Sequence, residues 1–556
     1  MIIRRSSTII HHLWRRRGEE RKGITINKKR RGERKEKNNR DKKKIFFINN
    51  YTTYRRRRIR RRKRKKEGDQ RRCRLVSPRS AVCCRDNLKQ GEISASIISF
   101  NTTATMASMA SLKLSSTPPR AEKYSIGIGT PRHSGTPTKQ LPIGSVPEEF
   151  LRELPKTDLH VHLDGSLRIS TIIEIAKESG IELPAYTEKA LREQVFKESY
   201  DSLEDYLKGF MYTGAVMQNS KNVERIAYEF ACDNYNEGVR YFEVRFAPQL
   251  HANSGQRMEE GDFDIRDVIA AVNSGLQRAK DEFNETVEQD SIEPNYEYGI
   301  IVCAMRMFEP YFSRYFTWLK KMHPYENAEG LASIASLALV RAALQVRDKD
   351  NIPIVALDIA GAEFGHEATV HKRAYDVAHQ NYLNKTVHAG EAYGPESIAQ
   401  AIKYLHADRI GHGYHIFSQD KVVGKSNSKN AEKYVSQLVQ YVSEKRITLE
   451  VCLTSNLQTM PELAKQGIKS HAFRKMVDHR MSITINTDNR LVSNTTTVKE
   501  LKMAIEEFQL TPKQLRDIVI TGFKRSFHPA KYVEKRAYVR KVMDYYDEIC
   551  KKYNII

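Results

Sequence analysis

Cysteine is sparse and unpatterned in this chain of 556 residues. Its seven cysteines, Cys73, Cys83, Cys84, Cys232, Cys303, Cys452 and Cys550, form no C-x-x-C pair. That argues against a disulfide framework and fits reduced thiols in an intracellular protein. No apolar run approaches the roughly eighteen residues of a membrane span. The opening MIIRRSSTIIHHLWRRRGEE is broken by His and Arg, so it does not read as a secretory signal. Basic excess is also lacking over most of the length. The net charge is +25, but residues 1–90 hold 35 Lys+Arg and 8 Asp+Glu, leaving 58 bases against 60 acids in the remainder. A whole-chain argument for nucleic-acid binding therefore fails, and the balanced body argues against such a partner.

Residues 1–105 read as a basic, low-complexity, disordered leader, with runs such as KKRRGERKEKNNRDKKK and RRRRIRRRKRKKEG. Three readings compete: a nucleic-acid or nuclear-import segment, an organelle-targeting leader, and a purine-rich untranslated stretch read as protein. Arg, Lys, Glu and Gly all have purine-rich codons, which favours the third, with Met106 or Met109 as the true start. The body is then expected in the cytoplasm. Residues 106–148 are rich in Ser, Thr and Pro and read as a flexible tether.

From residue 149 to 556 the pattern changes. Eight short β-rich runs occur at 157–163, 239–248, 298–305, 354–361, 385–391, 408–414, 448–456 and 481–489. Helical spacing fills the intervals, as in AEKYVSQLVQYVSEK. Eight β/α repeats predict an α/β fold, a TIM (β/α)8 barrel. The longest interval, after the first run, predicts a helical insertion over the barrel mouth.

Active sites of such barrels lie at the C-terminal strand ends. The first run, TDLHVHLDGS, places His160 and His162 on one face, about 6–7 Å apart along a strand. Later runs end in His388 and Glu391 (VHAGE), His412 (RIGHGYH) and Asp488 (INTDN). Singly, His388 reads as a core histidine and Asp488 as a turn or helix cap. Together, His160, His162, His388 and Asp488 form an N/O donor set suited to zinc with one position open. His366, His371 and His379 read as loop or core histidines. Glu243 is expected to pair with Arg245 or another base and to hold the barrel together.

The ordered set LPKTDLHVHLDGSL, LDIAGAE, VHAGE, RIGHGYH, CLTSN and INTDN resembles the adenosine deaminase family of zinc amidohydrolases, over roughly 149–530. The resemblance implies one zinc ion per chain on His160, His162, His388 and Asp488, and hydrolytic deamination of adenosine and 2′-deoxyadenosine to inosine and ammonia. It implies that Glu391 gives a proton to purine N1, its pKa raised on substrate binding. His412 would orient the attacking water, and the Gly361 backbone would donate to N3. Asp164 would hydrogen-bond the ribose 5′-hydroxyl of a small purine nucleoside, and His162 would also contact the substrate. Leu203, Tyr206, Leu207 and Phe210 match an apolar lid, or equally ordinary core. One departure is Asn489, where many members carry an acid facing N7; an amide can still donate there. Alternatives are a deaminase of adenine or of N6-modified AMP, and a zinc-binding protein without catalysis. The oligomeric state has no sequence signal.

Overall fold

Eight parallel strands form one sheet in chain order: β1 (Lys156–His162), β2 (Val239–Phe246), β3 (Glu297–Met305), β4 (Ile354–Ala360), β5 (Asn384–Ala389), β6 (Arg409–His412), β7 (Thr448–Val451) and β8 (Ile483–Ile485). They come from a computed structural model that describes residues 143–556, apart from 201–202, 254–262, 289–290, 424–427 and 556. The expected leader, the start-site question at Met106 and Met109, and the linker up to residue 142 lie outside the described residues. The segment after β8 returns to β1 and closes the barrel. The His162 N–H donates to the Asp488 carbonyl at 2.7 Å, and the Asp488 N–H donates to the His160 carbonyl at 2.8 Å.

Alternation along each strand sorts the side chains. In β1, Leu159 and Val161 enter the apolar layer under the helices, while His160 and His162 point inward. The inward layer below the mouth is ionic. Arg245 pairs with Asp358 at 2.7 Å and Glu450 at 2.8 Å, and Arg409 joins Glu450 at 2.6 Å and Glu243. Glu243 thus takes Arg409, not Arg245; two residues apart on one strand, Glu243 and Arg245 lie side by side and each reaches across the barrel. Burial alone would raise Glu450, but the two guanidinium groups hold it well below the usual carboxylate range.

The insertion is present. Helices Ile169–Ser179, Glu188–Gln194, Leu203–Leu207, Phe210–Val216 and Ser220–Asn236 separate β1 from β2. Tyr200 and Tyr206 tie it to the segment after β8, through the Val492 carbonyl (3.1 Å) and the Ser493 hydroxyl (2.7 Å). One helix, Ala328–Asp350, is long and apolar enough to cross a membrane by composition. Its Leu339, Val340 and Ala343 are buried in the core. The four cysteines of the described residues are unpaired.

Several expected strands end early. The run at 448–456 stops at Val451, and Leu453–Thr459 is helical. The Glu500 carboxylate, from the helix Thr497–Phe508, accepts the Leu453 and Thr454 N–H groups at 3.1 and 3.3 Å. A distant acid thus satisfies the first turn of this helix and overrides local β preference. The run at 239–248 stops at Phe246, before the single turn Pro248–His251. The run at 481–489 is regular only over Ile483–Ile485; beyond it Asp488 turns left-handed, at φ 61°.

Candidate active site

His160 and His162 end β1, His388 lies near the end of β5, and Asp488 follows β8. One donor atom from each lies within 4.8 Å of all the others. The His162 and His388 Nε2 atoms are 3.2 Å apart; Asp488 Oδ1 lies 3.4 Å from His160 Nε2 and 3.6 Å from His162 Nε2. Donors held about 2.0–2.1 Å from a tetrahedral ion are separated by roughly 3.3 Å, so these spacings fit a metal. Two further features support the fit. His160 Nε2 is buried without a hydrogen-bond partner. The opposite nitrogens of two rings are fixed by carboxylates: His160 Nδ1 by Glu450 at 2.8 Å and His388 Nδ1 by Asp358 at 3.0 Å. A proton on Nδ1 leaves the Nε2 lone pair aimed at the centre. Burial lowers His162 and His388 to about 4, so both rings are neutral, as a ligand must be.

Glu391 and His412 flank this cluster, with 3.6 Å between Glu391 Oε2 and His412 Nε2. Burial, with the Asp488 and Glu363 charges, pushes the Glu391 carboxyl up to about 7. The rise expected on substrate binding is therefore already present in the free chain. His412 and Asp488 both adopt φ 61°, a region that non-glycine residues rarely occupy.

Sequence reading missed Glu363. Its buried carboxylate accepts backbone N–H groups from Gly390 (2.7 Å), Glu391 (2.9 Å), Ala392 (2.7 Å) and Tyr393 (3.1 Å), and the Ser397 hydroxyl. It therefore holds the segment that carries Glu391. The residue stands in the quoted LDIAGAE, but nothing local shows that it bonds a loop 27 residues away. Asp358, in the same stretch, and Glu450 were likewise assigned no part.

A cavity of about 730 Å³ opens from the cluster, within the usual range for small-molecule sites. His162, Asp164, Gly361, His388, Glu391, His412, Asp488 and Asn489 line it, and so do Tyr206, Leu207 and Phe210 of the insertion. The Leu203 side chain lies outside the described residues. Gly361 has φ 105°, a backbone conformation that side-chain-bearing residues rarely adopt. Asn489 Oδ1 is buried and unpartnered. So is Asp164 Oδ1, and both ring nitrogens of His251, a second residue that sequence reading missed. His251 Nε2 lies 3.8 Å from Asp164 Oδ2. Of the histidines left aside, His371 is a core residue, hydrogen-bonded to Ser336 at 2.6 Å.

The fold and this mouth define a class, TIM barrels with a histidine–carboxylate cluster at the C-terminal ends of the strands. Solved structures of like fold include an amidohydrolase from Burkholderia ambifaria with bound Zn (19% identity, TM-score 0.56, 75% of this chain and 98% of that one). Another is the adenine deaminase of Arthrobacter aurescens (19%, 0.54, 71% and 99%). A third is the N6-mAMP deaminase of Arabidopsis (24%, 0.52, 71% and 99%). The family described as Adenosine deaminase matches residues 155–545. The adenosine deaminases of Mycobacterium avium (strain 104) and Clostridium botulinum (strain 657) are each 33% identical; the matches cover 71% and 69% of this chain and 96% and 97% of those proteins. The chain belongs to the adenosine deaminase family.

Proposed function

We propose that this chain hydrolyses adenosine, and 2′-deoxyadenosine, to inosine and ammonia, with one zinc ion held by His160, His162, His388 and Asp488. The observation that carries the reading is the meeting of this donor set with a carboxyl of pKa about 7 at one cavity. When bound, zinc supplies a water that loses its proton near neutral pH. Glu391, about half protonated at neutral pH, donates in its acid form to purine N1 as the oxygen adds at C6. His412 orients that oxygen. The Gly361 N–H faces N3, and the Asn489 amide faces N7. As the adduct collapses, the proton of the added hydroxyl passes to the amino nitrogen, the C6–N bond breaks to release ammonia, and the oxygen remains on C6 as a carbonyl.

The nucleoside is preferred for a physical reason. Asp164 and His251 leave buried polar atoms unpaired at the cavity wall, which is costly unless a ligand pairs them. A hydroxyl between them can donate to the carboxylate and accept from the imidazole. Free adenine has no such hydroxyl, and a phosphate monoester would meet the Asp164 charge. Purified chain of measured zinc content should convert adenosine, followed by its ultraviolet change, with kcat/KM at least about tenfold above adenine, AMP or N6-methyl-AMP. Faster turnover of any of those three would replace this reading.

A further inference from the structure

Behind His412 runs a buried file of polar groups with a direction. The Phe473 backbone N–H donates to His471 Nδ1 at 2.9 Å. His471 Nε2 faces Asn456 Oδ1 at 3.1 Å, and Asn456 Nδ2 faces His412 Nδ1 at 3.1 Å. His471, Asn456 and His412 are each at most 2% exposed, so water does not mediate these contacts. Such contacts leave proton positions to be inferred from the chain of bonds, and here one end is not free. A backbone amide can only donate. His471 Nδ1 must therefore be a bare acceptor, and its proton sits on Nε2. Burial, which lowers His471 to about 3, keeps that ring neutral. Asn456 must then turn its oxygen to His471 and its NH2 to His412. An NH2 group offers only protons, so His412 Nδ1 is also bare. Reversing any one step sets two donors face to face in a dry interior.

We propose that Asn456 and His471 are positioning residues that hold His412 in the tautomer with its proton on Nε2. The Nε2–H points into the cavity, 3.6 Å from the Glu391 carboxylate, too far to be spent on it. His412 therefore meets the substrates as a hydrogen-bond donor through Nε2–H, ready to orient an oxygen and to stabilise charge growing on it. It is not poised as a base, because Nε2 already carries a proton and Nδ1 is engaged by Asn456. This inference rests on the proposed deaminase reading for the identity of that oxygen, but the tautomer itself does not depend on it.

The test is nitrogen-15 magnetic resonance of the full-length, zinc-loaded chain labelled at histidine, with the His412 signals assigned by their loss in His412→Ala. A protonated and a bare ring nitrogen resonate far apart. The expected wild-type spectrum has Nε2 of His412 protonated and Nδ1 bare. In Asn456→Asp the amide becomes an acceptor of the same shape, and the proton is expected to appear on Nδ1. Turnover of adenosine should then fall about 10–100-fold, with KM and zinc content within about threefold of wild type. A purely structural role for Asn456 would lower stability without moving the ring proton. A wild-type spectrum with Nδ1 protonated overturns the proposal, even if Asn456→Asp does not fold. An unchanged His412 pattern in a folded Asn456→Asp also overturns it. Wild-type turnover of adenosine combined with either result would remove this inference alone and leave the proposed function standing.

Discussion

The role proposed for Glu391 makes two chemical demands, a carboxyl that stays protonated near neutrality and a position beside the reacting ring. Burial supplies the first, with the rise to about 7. Glu391→Gln keeps shape and volume but loses the transferable proton. Turnover of adenosine is expected to drop about 10²–10⁴-fold, with zinc by elemental analysis unchanged. The acid must start protonated, so kcat/KM is expected to hold below about pH 7 and to fall as pH rises through it. Stability follows the same sign. The folded chain keeps a proton that the unfolded chain loses from 4.5 upward, so this residue makes folding less favourable between pH 4.5 and about 7. Asp488 answers a different demand. Burial would raise it, yet the imidazoles beside it, His160 first, hold it well below the usual range, ionised as a ligand needs. Asp488→Ala should abolish zinc retention after dialysis; full occupancy by elemental analysis would rule out the proposed donor set.

Elements carry these residues to one place by different means. The segment after β5 has no regular structure of its own and is held by the Glu363 carboxylate through four backbone N–H groups. Glu363→Ala leaves those donors buried without an acceptor and is expected to cost about 3 kcal/mol or more in denaturant unfolding. The same variant should lower turnover more than it raises KM, because Glu391 loses its seat. The helix Leu453–Thr459 shows how a sequence signal was misread. CLTSN continues a β-rich run, and only Glu500, from a helix far along the chain, supplies the acceptors that let a helix begin there. That turn also places Asn456 against His412. The spacing of the eight runs was nonetheless enough to place every strand, because parallel strands are buried on both faces and so stand out as short apolar, β-branched runs between helical stretches. Strand ends were less legible, because they depend on partners in other elements.

For the molecule as a whole, the barrel floor is ionic where apolar packing would be the simpler solution. Arg409 bridges Glu243 and Glu450, and Arg245 bridges Glu450 and Asp358. Asp358 and Glu450 in turn orient the ligand rings His388 and His160. Arg409→Met leaves two buried carboxylates short of a partner and is expected to cost roughly 3–5 kcal/mol in chemical unfolding. A fragment of residues 106–556 should match the full chain in zinc content and in kcat/KM for adenosine. A loss of either would show that the basic leader serves the catalytic body.

The sequence by itself determined the barrel and its eight strands, since short β-rich runs separated by helical spacing are written locally. It also determined which histidines and acids could serve, since a metal set needs those donors and the motifs fall at strand ends. The tertiary structure alone decided what those groups are. It set the raised carboxyl of Glu391, the left-handed turns at His412 and Asp488, the grip of Glu363 and the file from Phe473 to His412. Proton affinity, backbone strain and tautomer all depend on neighbours brought together across hundreds of residues, and no short stretch of chain records them.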